Sequence, residues 1–312
     1  MSAFQDSDSR DHDLLVRATS SALPGWQFLG RPEPFGWAPD HHLRACLRDP
    51  GGTEWPVILR QAWGSESFSA EVFAYRELLP QLPLRTARLW ATFRIGEEQD
   101  WMVLEDLGPT TADPSHRDAL LRTLGSLHGA GALLLSDLPA DHPLPSFDAA
   151  APDHQRWADL LTRHEGMLPQ GATGVFARVL RRLADQPTTL LHGDTDLSNA
   201  VLIGEEVALV DWEKVMLGPA ALDLGRLVKH LGDPTELSHY RAAYRATGSE
   251  LSEEELQPLF ELADGFDCVR WICYCLDRTE AENDPGTEWR EMYYAPRLER
   301  LHVLAERWGI GK

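Results

Sequence analysis

In the stretch LLHGDTDLSNAVLIGEEVALVDWEK, residues 190–214, three polar side chains have types and spacings that could do chemistry. Asp194 precedes Asn199 by five positions, and Asp211 follows Asn199 by twelve. Carboxylate and amide oxygens are hard donors that suit Mg2+, an ion that keeps several of its own waters. A carboxylate not taken by a metal can orient a hydroxyl and accept its proton. Two apolar runs, AVLI and VALV, joined by GEE, read as a β-hairpin that fixes the separation of Asn199 from Asp211. The plainer alternative keeps Asp194 and Asn199 as turn residues, which both types favour, and Asp211 as a loop acid.

Composition limits what surrounds this stretch. The 312 residues suit one large or two coupled domains. A hydrophobic fraction of 43% and a charged fraction of 25% are those of an ordinary globular protein. No run of eighteen apolar residues occurs, and the polar start MSAFQDSDSRDHD lacks the pattern of a secretory signal, so the expectation is a cytoplasmic protein. The formal charge of -20 is spread along the chain. Nucleic acids and anionic membranes are bound largely through Lys and Arg, so neither is an expected partner. A cationic small molecule would be tolerated or attracted, although solubility alone explains such acidity. Lysines occur only at positions 214, 229 and 312. Of four cysteines, Cys268, Cys273 and Cys275 fall in a helical pattern and Cys46 stands alone; their spacing matches no common zinc module, so all read as reduced thiols.

The chain changes character near residue 107. Before it come short β-like runs, GWQFLG, HHLRACL, WPVILRQ, ARLWATFRI and WMVLEDL, interrupted by one helical pattern, SFSAEVFAYRELLPQL. After Gly108 the patterns are helical except for the hairpin. The layout is α+β, with a small β-rich lobe over 1–107, residues 1–12 frayed, and a larger helical lobe over 108–312.

Phosphoryl transfer from ATP needs a carboxylate at the acceptor hydroxyl and ligands for Mg2+ on the triphosphate. Protein kinases supply these as D-x4-N followed by an Asp at the end of a hairpin. HGDTDLSN and VDWE resemble the signature of the aminoglycoside phosphotransferase and choline kinase family, small-molecule kinases with a two-lobed protein-kinase-like fold. GPAALDLGRL and LGSLHG extend the likeness, which covers about residues 26 to 300. The resemblance implies that Asp194 is the catalytic base and that Asn199 and Asp211 hold the metal. It gives His192 and Asp223 supporting roles and leaves Glu213 without one.

The family pairs a strand Lys, which touches the phosphates, with a Glu on the next helix. Here WPVILRQ carries Arg60, and Glu71 is the expected partner, with Glu77 as the fallback; a surface ion pair is the alternative. Arg keeps the charge but has a larger, forked head. WMVLEDLG resembles the hinge, where backbone groups of Leu104 and Asp106 would meet adenine. FGWAPDHH, the counterpart of the phosphate-covering loop, has one glycine, Gly36.

Along residues 267–278, Asp267, Trp271, Tyr274 and Asp277 recur at roughly helical spacing. Carboxylates beside aromatic rings suit an ammonium group. The preferred alternative is a partly exposed helix with solvated Asp267–Arg270 and Asp277–Arg278 charges. The acidic loop TEAENDPGTEW could also reach the cleft. The expectation is a kinase that moves the γ-phosphate of MgATP or MgGTP to a hydroxyl of an aminoglycoside-like, aminated or polyol small molecule. Rival expectations are a metabolic kinase for choline, homoserine or a sugar, and a nucleotide-binding pseudokinase that acts through a partner.

Overall fold

The computed structural model describes residues 3–36, 41–96, 99–228, 231, 233–282, 291 and 294–310. By contact the chain divides into two units. The first holds Met1–Ala112, Pro139–Leu144 and Ser198–Val215; the second holds Asp113–Leu138, Pro145–Leu197 and Met216–Lys312.

Helix α1 (Ala3–Ala22) opens the first unit and takes in most of the stretch expected to be frayed. Strands β1 (Gln27–Phe28), β2 (Glu33–Pro34), β3 (His42–Arg48) and β4 (Glu54–Gln61) follow. Next come helix α2 (Ser65–Phe73) and strands β5 (Leu89–Ile95) and β6 (Gln99–Glu105). The strands form one antiparallel sheet, ordered β1-β3-β4-β6-β5, with β2 on β3. Side chains of a strand alternate between faces. Val57 and Leu59 of β4 therefore point one way, into a core with Leu47, Val103, Leu15 of α1 and Leu23 just after that helix. Arg60 points the other way and is buried all the same, at 4% exposure. Continuing from Phe73, α2 widens into a π-helical turn over Ala74–Leu78.

The second unit begins with α3 (Arg117–Leu134), α4 (Pro152–Arg163), α5 (Ala172–Ala184) and β7 (Thr188–Leu191). The chain then forms the expected hairpin, β8 (Ala200–Ile203) and β9 (Glu206–Leu209). Strand β10 (Met216–Pro219) and helices α6 (Ala221–Val228), α7 (Ser238–Ala246), α8 (Leu256–Glu282) and α9 (Ala295–Arg307) complete it. Strand β10 pairs antiparallel with β7, so the chain leaves Leu191 from an anchored strand. Among the described residues no helix is long and apolar enough to cross a membrane.

A division at residue 107 leaves the hairpin in the helical lobe, whereas its contacts group it with the N-terminal segment. A two-stranded hairpin has unpaired edges that need partners. Here the Ala112 N–H donates to the Ala200 carbonyl and the Leu202 N–H to the Thr110 carbonyl, both at 2.8 Å, and Thr86 bridges Leu209. Asn199 and Asp211 thus belong to the first unit and Asp194 to the second.

Candidate active site

Arg60 lies at the centre of the first unit's polar cluster. Its Nη1 donates to Glu71 Oε2, while Nη2 reaches Asp211 Oδ1 at 2.7 Å and Glu213 Oε2 at 3.0 Å. The structure therefore brings together the strand cation, the helix acid and the hairpin acid that the sequence singled out, with Glu71 rather than Glu77 as the partner. It adds Glu213, to which the sequence gave no role. The D-W-E spacing was the available signal: a short 3-10 turn over Trp212–Lys214 returns Glu213 to the same guanidinium. Trp212, fully buried with its Nε1–H on the Leu209 carbonyl at 3.1 Å, fixes that turn.

One cation faces three carboxylates here, which leaves surplus negative charge. Burial opposes the Arg60 charge, but Glu71 and Asp211 outweigh it and raise the pKa above its ordinary value. Glu71 is pushed up to about 7 by burial, against the pull of Arg60 and with help from Asp211 and Glu213.

Asp211 has φ 66 and ψ 63 and is the one non-glycine residue with positive φ among the described residues. That backbone state costs an L-residue free energy, and such residues cluster at functional sites. The hairpin register, Ala200 opposite Leu209, sets Asn199 opposite Val210, the residue before Asp211. The Val210 N–H donates to the Asn199 carbonyl at 2.9 Å, which fixes the open end of the hairpin. Two hard-oxygen side chains beside surplus negative charge fit Mg2+, which takes one or two protein ligands and completes its shell with water and phosphate oxygens. Among the described residues no group of three His, Cys, Asp or Glu side chains is arranged to hold a metal alone.

The sheet takes up part of the expected hinge backbone. Ile58 of β4 stands opposite Leu104, and the Asp106 N–H donates to the Pro56 carbonyl at 3.0 Å. Antiparallel partners alternate between bonded and non-bonded pairs, so Leu104, two residues from Asp106, is also in a bonded pair. The sheet therefore occupies the Leu104 backbone and the Asp106 N–H, and neither N–H is open to a base edge. The Asp106 carboxylate holds the turn, meeting Arg44 Nε at 2.6 Å and accepting from the Gly108 N–H at 2.9 Å. The Leu107 N–H, missed from sequence, takes no such partner among the described residues. Of FGWAPDHH, residues 37–40 lie outside the described residues.

In the second unit the Asp194 loop is pinned by a buried carboxylate. Asp223 Oδ2 accepts from the His192 N–H and Oδ1 from the Gly193 N–H, both at 2.8 Å. Gly193 has φ 81, a left-handed turn that glycine makes without strain. His128 Nε2 lies 3.0 Å from Asp223 Oδ2, and its Nδ1 lies 3.0 Å from the Tyr240 hydroxyl. With Nε2–H donating to Asp223, Nδ1 accepts from Tyr240. The Thr189 hydroxyl donates to the His128 carbonyl at 2.5 Å, tying β7 to α3. The Asp194 N–H points at His192 Nδ1, 3.3 Å away, and the Asp194 carboxylate pairs with Arg226 Nη2. Arg226 was missed from sequence; its signal was its place one helical turn after Asp223.

Burial pushes the Asp223 carboxyl up, but the hydrogen bond from His128 and the nearby His192 outweigh it and hold the pKa below the ordinary value. A depressed acid stabilises the fold above its unfolded pKa, and that contribution is lost as pH falls through the folded one. Asp223→Ala also leaves buried donors unpaired, and is expected to cost about 3–5 kcal/mol in urea denaturation at neutral pH. The deficit should shrink at acid pH, as the wild type loses the same contribution. A variant within 1 kcal/mol of wild type would remove Asp223 as the anchor of the loop (about RT-scale effects being ordinary for surface changes).

The α8 face fits neither the cation site nor, at Asp267, the preferred solvated helix. Asp267 is fully buried, with Arg270 Nη2 at 3.3 Å from Oδ1 and Arg297 Nε at 3.3 Å from Oδ2. Arg297 also lies over the Trp271 ring, 5.1 Å from its centroid. Asp277 pairs with Arg156 of α4. The stripe drifts from the core at Asp267 to the surface at Tyr274, because a helix of 3.6 residues per turn rotates such a pattern out of register. Guanidinium groups thus already answer both carboxylates. Asp277→Ala is expected to leave the acceptor KM unchanged, as for an exposed ion pair; a raised KM would return Asp277 to the site. The cysteines of α8 are buried free thiols, and burial pushes Cys273 up to about 12. Residues 283–289 of the acidic loop TEAENDPGTEW lie outside the described residues.

The family model described as phosphotransferase enzyme family matches residues 44–259. The chain belongs to that family. No curated protein matches the sequence. Solved structures share the fold of this phosphotransferase. A macrolide 2'-phosphotransferase, MphH from Brachybacterium faecium, is similar at 16% identity and TM-score 0.58 over 95% of this chain and 97% of its own. The amicoumacin kinase hAmiN, in complex with AMP-PNP, Ca2+ and Ami, gives 13% and 0.59 over 96% of each chain. A choline/ethanolamine kinase family protein from Mesorhizobium loti gives 17% and 0.59 over 96% and 95%. The antiparallel sheet of the first unit and the helices of the second are thus the two lobes of a protein-kinase-like phosphotransferase.

Proposed function

We propose that this phosphotransferase moves the γ-phosphate of MgATP or MgGTP to a hydroxyl of a small molecule. The observation that carries the reading is the convergence of Glu71, Asp211 and Glu213 on Arg60, which gives the first unit a carboxylate-rich cluster whose surplus negative charge suits the metal of a metal-bound triphosphate. Asn199 and Asp211 would hold Mg2+, which when bound neutralises charge on the phosphates. Arg60 orients Asp211 and offers its guanidinium to phosphate oxygens. The Leu107 N–H serves the base edge in place of the Asp106 N–H. Asp194, held beside Arg226, orients the acceptor hydroxyl and takes its proton. The O–P bond to the acceptor forms as the bond to the departing nucleoside diphosphate breaks.

Nucleotide consumption by the purified protein, with MgATP and then MgGTP, across aminoglycosides, macrolides, choline, amino acids, sugars and hydroxy acids tests this. Phosphorylated product, identified by mass, is the expected result. Tight nucleotide binding without product from any acceptor would favour the pseudokinase instead.

A further inference from the structure

Two arginines beside Asp194 point to the acceptor. Helix α6 presses on α8 at Gly225, where a Cβ would stand 3.0 Å from the Ala263 carbonyl oxygen and 3.5 Å from Asp267 Cβ. That approach sets Arg226, the next residue, alongside the turn of α8 that carries Asp267 and Arg270. Arg226 pairs with Asp194; Arg270 and Arg297 share Asp267. Three guanidiniums thus answer two carboxylates in these pairs, an arginine-rich cluster in a chain of formal charge -20. Burial first, and then the charge of Arg226, lowers the Arg270 pKa, so the two cations are near neighbours. Arg226 Nε is buried without a hydrogen-bond partner. Like charges held in partly buried positions, with a donor unsatisfied, cost free energy that a bound anion would offset.

We propose that Arg226 and Arg270 form the anion-binding part of the acceptor subsite, so the molecule phosphorylated carries a carboxylate or other anionic group near its hydroxyl. The inference rests on Asp194 as the base. The guanidinium fork suits bidentate recognition of such a group. The triphosphate has its own cation in the first unit, Arg60, which leaves the second unit's cluster for the acceptor. With the anion on the arginines, the hydroxyl faces Asp194, which takes the proton as oxygen attacks phosphorus. A cationic acceptor, by contrast, would meet like charge.

The test titrates wild type, Arg226→Gln, Arg270→Gln and Arg270→Lys with D-glycerate, D-gluconate and D-glucuronate, and with D-glucose, D-glucosamine and inorganic phosphate. Binding is read by calorimetry and turnover with MgATP and MgGTP. At least one hydroxy acid should bind and be phosphorylated in preference to the neutral and aminated sugars. Arg270→Gln should raise its KM by about 10-fold or more, the size expected for loss of a charge-assisted bond. Arg270→Lys should recover part of that loss, and the nucleotide KM should stay within about twofold, since these residues lie outside the nucleotide cradle. Preference for glucosamine or glucose overturns the inference and leaves the phosphotransferase reading standing. Arginine-dependent binding of inorganic phosphate without binding of any hydroxy acid overturns it too, assigning the cluster to the transferred group. Absence of all anion binding does the same. Failure to bind MgATP or MgGTP is the separate outcome that would count against the phosphotransferase reading itself.

Discussion

Asp194→Ala is expected to lower kcat by roughly 10²–10⁴-fold, the range of general-base contributions, while nucleotide binding is retained. The carboxylate sits on a loop whose two preceding amides are held by Asp223, so its position does not depend on its own side chain. Its pairing with Arg226 aims it. Asp194→Asn preserves shape and removes the proton acceptor, so it should lose nearly as much activity as alanine. Both variants should stay folded but lose about 1–3 kcal/mol, because Asp194 is only 14% exposed and its loss leaves Arg226 without its counter-charge. Single-turnover kinetics with the acceptor that gives product, alongside calorimetry of the nucleotide, measures this. Near-normal kcat in either variant would remove Asp194 as the base.

Arg60→Ala should have the other large effect. Removing the cation strands Glu71, at 1% side-chain exposure, beside Asp211 and Glu213. Loss of one partner from a buried ion pair typically costs about 3–5 kcal/mol, because the remaining charge stays desolvated. Nucleotide binding should weaken by roughly 10- to 150-fold, the equivalent of one charge-assisted contact. Arg60→Lys restores the charge but not the fork that spans Glu71 and Asp211, so it should recover only part of both losses. The pair Arg60→Met with Glu71→Leu removes donor and acceptor together. It should therefore be more stable than Arg60→Ala, although still poor at binding nucleotide. Urea denaturation and calorimetry of MgATP separate the two losses. Wild-type stability together with wild-type nucleotide binding in Arg60→Ala would refute the arrangement.

Much of this site was legible before folding. D-x4-N and the distant Asp211 are close in sequence, and the apolar alternation between them predicts the hairpin that brings Asn199 near Asp211. Arg60 and Glu71 could be paired from a strand and the helix after it. The hinge could not be read as well: which amides of 104–107 stay open depends on the register of β6 against β4, and a one-residue difference in register exchanges bonded for non-bonded groups. The α8 face failed for a related reason. Helical spacing says which residues share a side, but not which arginines of other helices arrive there to meet them.

By itself, then, the sequence determined which groups are at hand: carboxylates and an amide with hard oxygens, a strand cation, and the alternation of strands and helices that presents them. Such features are set by residue type and local periodicity, which short-range backbone geometry converts directly into position. Tertiary structure alone decided which charges meet. It set Glu213 on Arg60, Arg226 on Asp194 and Arg297 on Asp267, separating a carboxylate-rich cluster in the first unit from an arginine-rich one in the second. Those pairings join residues up to 153 positions apart, and no local pattern encodes them. They follow from the low polarity of the interior, where a charge must find an opposite charge or donor, and from the close approach of helices such as α6 and α8 that determines which one it finds.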